Sequence, residues 1–129
     1  MPGWQEFLDI ARKDVQVKSV GIFGQDGVTW AATDDLNVTA AEVHNLVAGV
    51  HDNNKLHENG VVVGGTKYLF VAPLDADSPD LAGVLGHKGA TSVEVILTRK
   101  AVVVATTEGY VSELTGPAGL ALQLLKVGF

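Results

Sequence analysis

Strand-length apolar segments joined by tight turns fill the middle of this 129-residue chain, and they restrict its fold more than any other feature. The clearest pair is Val15 to Phe23 and Val28 to Ala32, with Gln25-Asp26-Gly27 between them. An Asp-Gly pair tolerates the positive φ angles of a tight hairpin. The sequence therefore predicts two antiparallel strands joined at this turn.

More strands follow the same pattern in the second half of the chain. Val61 to Val63 and Tyr68 to Ala72 flank a Gly64-Gly65 break and predict two neighbouring strands. Residues 93–97 and 101–106 predict another hairpin. The intervening stretches are expected to be a loop at 73–79, a short strand or a turn of helix at 81–85, and a glycine-containing loop at 86–92.

Three helices are also predicted. The first covers Pro2 to Lys13, where apolar residues recur on one face of a 3.6-residue period. The second begins after Thr39, because Glu42 stands at the spacing of a capping box, and it ends near Asp52, where a polar loop should begin. The third covers residues 117–127, with a proline at its start and a glycine just after its end.

The order of these elements predicts an α+β fold. Successive strands are joined by short turns, which favours antiparallel pairing over parallel crossovers. Terminal helices would then cover a face of the sheet. Since the chain contains no internal repeat, low-complexity tract or linker, we expect a single domain over residues 1–129.

Charge and composition exclude several functions. Nine basic and fifteen acidic residues give a net charge of −6, and the basic residues are scattered, so nucleic-acid binding is not expected. The chain has no cysteine and therefore no disulfide framework or thiolate nucleophile. It shows neither a signal-peptide pattern nor an apolar run of membrane-spanning length, which predicts a soluble, cytoplasmic protein.

No motif points to catalysis or to a cofactor. His44, His51 and His57 lie close in sequence, but their spacing is unlike that of helical metal ligands and no acidic third ligand is evident. Residues 64–67 lack the spacer of a phosphate-binding loop and precede a strand. We expect neither an enzyme nor a bound metal.

Four segments, taken in order, carry a resemblance to a known family. The stretches GWQEFLD, GIFGQDGVTWAA, VVVGGTKYLFVA and GHKGATSVEV resemble profilin, the small actin-monomer-binding protein, over nearly the whole chain. The resemblance implies a six- to seven-stranded antiparallel sheet with the N- and C-terminal helices packed on one face and further helices on the other. It also implies a cytoskeletal binding protein that acts as a monomer, regulates actin polymerisation and nucleotide exchange, and binds proline-rich segments.

The resemblance places a site for proline-rich peptides on the aromatic residues. A polyproline II ligand loses little entropy on binding, so a groove of aromatic planes with a few donors suffices. By position the groove consists of Trp4, Phe7, Trp30, Gln123 and Phe129, although core packing is the alternative for each aromatic ring. Phenylalanine replaces the common tyrosine at positions 7 and 129, and glutamine stands where histidine or tyrosine is usual. Each lost hydrogen bond costs about 1 kcal/mol, which predicts affinity weakened up to ten-fold per partner.

Actin contacts are implied on the later strands and at the start of the C-terminal helix. The matching residues are Lys67, Lys88, Thr91, Tyr110 and Glu113. For the lysines the alternative is ordinary solvated surface charge.

Phosphoinositide binding is the weakest activity that the resemblance implies. It requires clustered cations, and only Lys88, Arg99, Lys100 and Lys126 could contribute. Ile96 and Leu97 stand where plant members carry two lysines, so we expect weak, salt-sensitive binding or none.

Two other functions remain open at this point. The same fold could serve as an adaptor for proline-rich peptides with residual or no actin binding. The chain could instead be a sheet domain of the roadblock or longin type in a GTPase-linked complex. That assignment predicts a dimer through an edge strand, and it gives no role to Trp4 beside Trp30.

Overall fold

The computed structural model describes residues 17–33, 36–74 and 81–108, together with Asp9, Leu124, Lys126 and Gly128. Within these residues there are two helices, α1 (Ala40–His51) and α2 (Asn53–Asn59). The strands are β1 (Val17–Gly24), β2 (Thr29–Ala32), β3 (Val61–Val63), β4 (Thr66–Leu74), β5 (Ala82–Lys88), β6 (Thr91–Leu97) and β7 (Ala101–Glu108).

The seven described strands form one sheet in the order β2-β1-β7-β6-β5-β4-β3, and every neighbouring pair is antiparallel. Described strands that follow one another in the chain are adjacent in the sheet, except β2 and β3, which form its two edges. The contact between β1 and β7 joins the first and last described strands, next to the edge strand β2. The antiparallel α+β fold expected from the sequence is confirmed.

The first hairpin forms where the sequence predicts it. Gly27 has a φ of 95°, and the amide of Gly24 donates to the carbonyl of Val28 at 2.8 Å to close the turn. The carboxylate of Asp26 accepts a further hydrogen bond from the amide of Val28 at 3.1 Å. The Asp-Gly pair therefore supplies both the left-handed residue and a side-chain acceptor.

Helix α1 begins with the predicted capping box. The Thr39 hydroxyl accepts a hydrogen bond from the Glu42 amide at 3.2 Å, and the Glu42 carboxylate accepts one from the Thr39 amide at 3.0 Å. Val43 and Leu46 are buried on the helix face that contacts the sheet. The helix ends at His51, as expected from the polar residues that follow.

The expected polar loop after Asp52 is wrong, because α2 begins there. The Asp52 side chain caps the new helix by accepting from the Asn54 amide at 3.2 Å, and Gly60 ends it with a φ of 76°. Leu56 is the only buried residue of α2. The segment therefore has no repeating apolar pattern from which the sequence could indicate a helix. Burial of this one leucine and two good caps offset the weak helix propensity of the asparagines.

The glycine-containing loop expected at residues 86–92 is also wrong. Gly86, His87 and Lys88 continue β5, while Thr91 and Ser92 begin β6, so only Gly89 and Ala90 form the turn. A side chain at Gly86 would lie 3.1 Å from the Leu69 carbonyl oxygen and 3.2 Å from Val93. Glycine therefore allows close strand packing here and does not interrupt the strand. Residues 81–85 belong largely to β5, which settles that segment as a strand.

Both faces of the central strands are buried. On the side of α1 and α2, here called the helix side, the core contains Phe23, Val43, Leu46, Leu56, Val61, Val84, Val93, Val95, Val102 and Val104. The other side is called the outer face. Every residue from Ala101 to Ala105 is fully buried, so β7 is covered on both sides, and Leu124 is fully buried as well.

Some sequence expectations lie outside the described residues. The N-terminal helix is represented only by Asp9, and the C-terminal helix by Leu124 and Lys126, all three of which are helical. Of the loop expected at 73–79, Pro73 and Leu74 instead end β4, and the rest lies outside the described residues.

Candidate functional site

Trp30 is the described member of the expected aromatic groove. It is partly exposed on β2, which is an edge strand of the sheet. A side chain at Gly24 would lie only 3.0 Å from the Trp30 indole nitrogen, so the indole lies against the backbone of β1. This contact fixes the ring at the sheet edge with part of its surface open to solvent. The expected partners Trp4, Phe7, Gln123 and Phe129 lie outside the described residues.

Lys67 lies on the outer face of β4 beside an exposed leucine. Tyr68 and Phe70 belong to the helix-side core, so the alternation of a strand places Lys67 and Leu69 on the opposite face. Leu69 is 63% exposed, and its cross-strand partner is His87. No motif marks Leu69, but its alternation with two core aromatic residues is a sequence signal that indicates a surface position.

Val71 adds to the apolar surface of β4 through a local irregularity. The register shifts between Phe70 and Ala72, which leaves Val71 as the extra residue of a β-bulge. Its side chain is 36% exposed. No sequence pattern indicated this bulge, because a bulge depends on how two strands pair.

Lys88 and Thr91 lie on the helix side, so the sheet separates them from Lys67. They are cross-strand partners at the end of the β5–β6 hairpin. Lys88 follows His87, which pairs with Leu69 on the outer face, and it therefore has the opposite orientation. Tyr110 and Glu113, the remaining expected actin contacts, lie outside the described residues.

A cavity of about 370 Å³ opens on the helix side at this end of the sheet. Its polar lining includes the hydroxyl-bearing residues Ser19, Thr66, Tyr68, Thr91 and Thr106. Lys18 and Lys88 also line it, while Leu36 and Val63 supply apolar surface. No sequence pattern indicates this cavity, because its residues come from strands that are far apart in the chain.

The phenol of Tyr68 is a neutral hydrogen-bond donor in this cavity at ordinary pH. Burial raises the pKa of Tyr68 above its usual value of 10.0, and the positive charge of Lys18 opposes part of that shift. Lys18 and Tyr68 both line the cavity.

Glu42 fixes the turn that borders the cavity. Its Oε1 accepts a hydrogen bond from the Gly64 amide at 3.1 Å, and its Oε2 accepts one from the Gly65 amide at 2.8 Å. Both glycines have positive φ, 60° and 79°. One carboxylate thus caps α1 and holds the β3–β4 turn, which contributes Gly64 to the cavity lining.

The expected phosphoinositide residues do not form one cluster. Lys88 precedes β6, whereas Arg99 and Lys100 follow it, and a seven-residue strand separates these positions by roughly 20 Å. Lys126 is exposed and helical.

Two of the four histidines, His44 and His57, form structural contacts. The Nε2 atom of His44 lies 3.0 Å from the Asp26 carbonyl oxygen, which ties α1 to the first hairpin turn. The His57 ring contacts Phe70 edge to face at 4.6 Å between centroids. The described residues contain no group of three or more potential metal ligands and no helix long and apolar enough to span a membrane.

Together the sheet and its surfaces define a small α+β domain with sites suited to binding. The family model named Profilin matches residues 2–115 of the chain. The chain therefore belongs to the profilin family.

Relatives from several lineages agree with this assignment. Profilin-1 of Entamoeba histolytica is 31% identical over 119 residues, covering 90% of this chain and 85% of the relative. Profilin-1 of Dictyostelium discoideum is 26% identical over 126 residues, covering 97% and 92%. The crystal structure of Acanthamoeba castellanii profilin II is 27% identical, with a TM-score of 0.77 over 98% of this chain and 99% of that one.

Two solved complexes contain chains with the same fold. Mouse profilin IIa in complex with a double repeat from the FH1 domain of mDia1 has a TM-score of 0.74 at 22% identity, covering 99% of this chain and 100% of that one. LokiProfilin1 in complex with rabbit actin has a TM-score of 0.69 at 15% identity, covering 95% and 94%.

Proposed function

We propose that this protein binds monomeric actin, regulates its polymerisation and nucleotide exchange, and binds proline-rich segments of actin-assembly factors. Membership of the profilin family supports both activities. Solved chains of this fold occur in complexes with actin and with FH1 repeats. The protein acts as a binding protein and not as an enzyme, in the cytoplasm, as a single domain over residues 1–129.

The actin surface that we propose is the outer face of β4. The observation that supports this surface most directly is Leu69, a large apolar side chain that is 63% exposed next to Lys67. Among the described residues, the exposed large apolar side chains are Val28, Leu69 and Val71, and two of these lie on β4. Burying such a side chain against a partner contributes about 1.5–3 kcal/mol, whereas the adjacent lysine would orient an acidic partner surface.

The test is polymerisation of pyrene-labelled actin at increasing concentrations of the protein. We expect the wild type to slow spontaneous polymerisation in proportion to its concentration. Leu69→Asp places a charge in the apolar contact, and Lys67→Glu reverses the positive charge that complements an acidic partner surface. Each variant should therefore weaken the effect on polymerisation about ten-fold or more.

Lys55→Glu is the matched control. Lys55 is an exposed lysine on α2, on the other side of the sheet, and its charge reversal should leave the actin effect unchanged. Full activity of both β4 variants would reject this surface. Absence of any effect of the wild type on actin, together with retained peptide binding, would instead establish the adaptor function.

The proline-rich site that we propose is the groove containing Trp30 and the expected partners Trp4, Phe7, Gln123 and Phe129. The partly exposed indole on an edge strand supports it, since a flat aromatic surface suits a polyproline II helix. Tyr110 and Glu113 remain proposed actin contacts from the C-terminal region. Phosphoinositide binding is proposed to be weak, since Lys88 lies far from Arg99 and Lys100.

A further inference from the structure

The turn that joins β6 to β7 carries the adjacent basic residues Arg99 and Lys100, and both are exposed. Gln25, in the β1–β2 turn, connects this basic turn to the first hairpin. The Gln25 backbone amide donates to the Lys100 carbonyl at 3.0 Å, and the Gln25 side-chain amide donates to the Thr98 carbonyl at 2.6 Å. The backbone of the basic turn is therefore held next to the hairpin that contains Trp30.

Val28 extends the exposed surface around Trp30 toward the basic turn. Its side chain is 55% exposed, and it directly precedes β2. The Val28 carbonyl accepts from the Gly24 amide, so these two residues lie opposite each other, and Gly24 pairs in turn with Ala101. Because side chains alternate along a strand, Val28 and Trp30 lie on the same face of the sheet. The row from Val28 to Ala101 ends beside Lys100.

The separation of Trp30 and Lys100 suits a polyproline II peptide. Two strand spacings and about three residues along the strands separate their backbones, which is roughly 14 Å in all. A polyproline II helix rises about 3.1 Å per residue, so about four or five residues cover this distance. A peptide whose prolines contact Trp30 would therefore place a flanking residue within reach of the Lys100 side chain.

The charge of the two turns favours an acidic flanking residue. Arg99 and Lys100 are adjacent basic residues in a chain of net charge −6. Asp26 is the acidic residue of the two turns, and its carboxylate accepts from the Val28 amide at 3.1 Å. A run of prolines has no side-chain charge, so only the residues that flank it can respond to this excess of positive charge.

We propose that the site for proline-rich segments prefers those that carry acidic residues next to the prolines, and that Lys100 contacts the acidic side chain. Val28 covers the peptide between the prolines and that residue, and Arg99 adds positive charge at the same turn. The inference rests on the proposed peptide-binding function, and it narrows the class of peptide that this site accepts. It does not involve the actin surface on β4.

The test is a tryptophan-fluorescence titration with end-blocked decaproline peptides. One peptide carries Asp-Asp after the prolines, another carries it before them, and the neutral peptide carries Asn-Asn at both ends. At low ionic strength we expect at least one acidic peptide to bind about two- to five-fold more tightly than the neutral one, as for an exposed ion pair. The preference should disappear near 1 M salt, where the Debye length is about 3 Å.

Three variants locate the preference on the protein. Lys100→Gln should bind the acidic and neutral peptides with equal affinity. Lys55→Gln, at an exposed lysine on α2, is the matched control and should keep the preference. Asp26→Asn retains an oxygen that can accept from the Val28 amide, and its loss of negative charge should increase the preference about two-fold.

Two results would overturn the inference while the peptide site itself stands. The first is equal affinity of the wild type for the acidic and neutral peptides, and the second is a preference that persists in Lys100→Gln. Loss of the preference in Lys55→Gln would also overturn it, because total charge and not the basic turn would then decide binding. If the wild type bound none of the peptides, the proposed peptide site would be wrong and this inference with it.

Discussion

The backbone amide of Gly65 donates a 2.8 Å hydrogen bond to Oε2 of Glu42, which lies 23 residues earlier in the chain. The other carboxylate oxygen accepts from the amides of Thr39 and Gly64. This carboxylate therefore connects the first turn of α1 to the β3–β4 turn, and a local capping motif becomes a tertiary contact.

Glu42→Ala should lower the free energy of unfolding by about 1–3 kcal/mol, because three backbone donors lose a charged acceptor. Glu42→Gln should cost less, since its amide oxygen can still accept while its NH₂ group cannot serve Gly65. Urea unfolding measures both changes. Glu58→Gln, an exposed position on α2, is the control and should alter stability by less than about 0.5 kcal/mol. Equal stability of Glu42→Ala and the wild type would contradict the tertiary role.

Gly49 of α1 packs directly against Leu56 of α2. A side chain there would lie 2.6 Å from Cγ of the buried Leu56. Alanine normally stabilises a helix interior by about 1 kcal/mol relative to glycine, but here we expect a net loss of about 1–3 kcal/mol from overpacking.

A double-mutant cycle separates these two effects at Gly49. Gly49→Ala and Leu56→Ala should each destabilise the protein in thermal or urea unfolding. The double variant should be less destabilised than the sum, because the smaller residue at 56 admits the new methyl group. A stabilised Gly49→Ala variant would show that the helices separate without cost.

Tyr68 should make stability fall in alkaline solution. Burial raises its pKa in the folded state above 10.0, so above that pH the unfolded chain releases the proton first and the folded state loses stability as pH rises. Below pH 10 this effect is absent. Tyr68→Phe should show a shallower loss between about pH 10 and 11 in urea unfolding, relative to its own stability at pH 8. Parallel pH profiles of the two proteins would show that Tyr68 does not contribute.

Gly24→Ala should weaken binding of a proline-rich peptide by displacing the Trp30 indole. The new methyl group would lie 3.0 Å from the indole nitrogen and 2.5 Å from Oδ1 of Asp26, so both side chains would have to shift. We expect about a three- to ten-fold loss in a tryptophan-fluorescence titration, and a larger loss for Trp30→Ala. Trp30→Phe, which keeps a ring but removes the N–H donor, should fall between them. Wild-type affinity of Trp30→Ala would remove this residue from the peptide site.

The sequence by itself determined the features that depend on near neighbours. The hairpin turn at Asp26 and Gly27 and the capping box of Thr39 and Glu42 form as predicted, because each needs only residues within three or four positions. The family resemblance supplied the number of strands in the sheet and the candidate site residues, which periodicity alone does not provide. Helix α2 was missed because Asp52 and Gly60 supply its caps while Leu56 alone supplies its buried contact.

Only the tertiary structure decided which residues share a surface. It placed Lys67 with the exposed Leu69 and put Lys88 on the other side of the sheet, because the side to which a strand residue points depends on register. It also joined Ser19, Thr91 and Thr106 around one cavity by pairing β7 with β1 and β6. These contacts span most of the chain, and the burial that fixes them is a property of the packed sheet and not of any local segment.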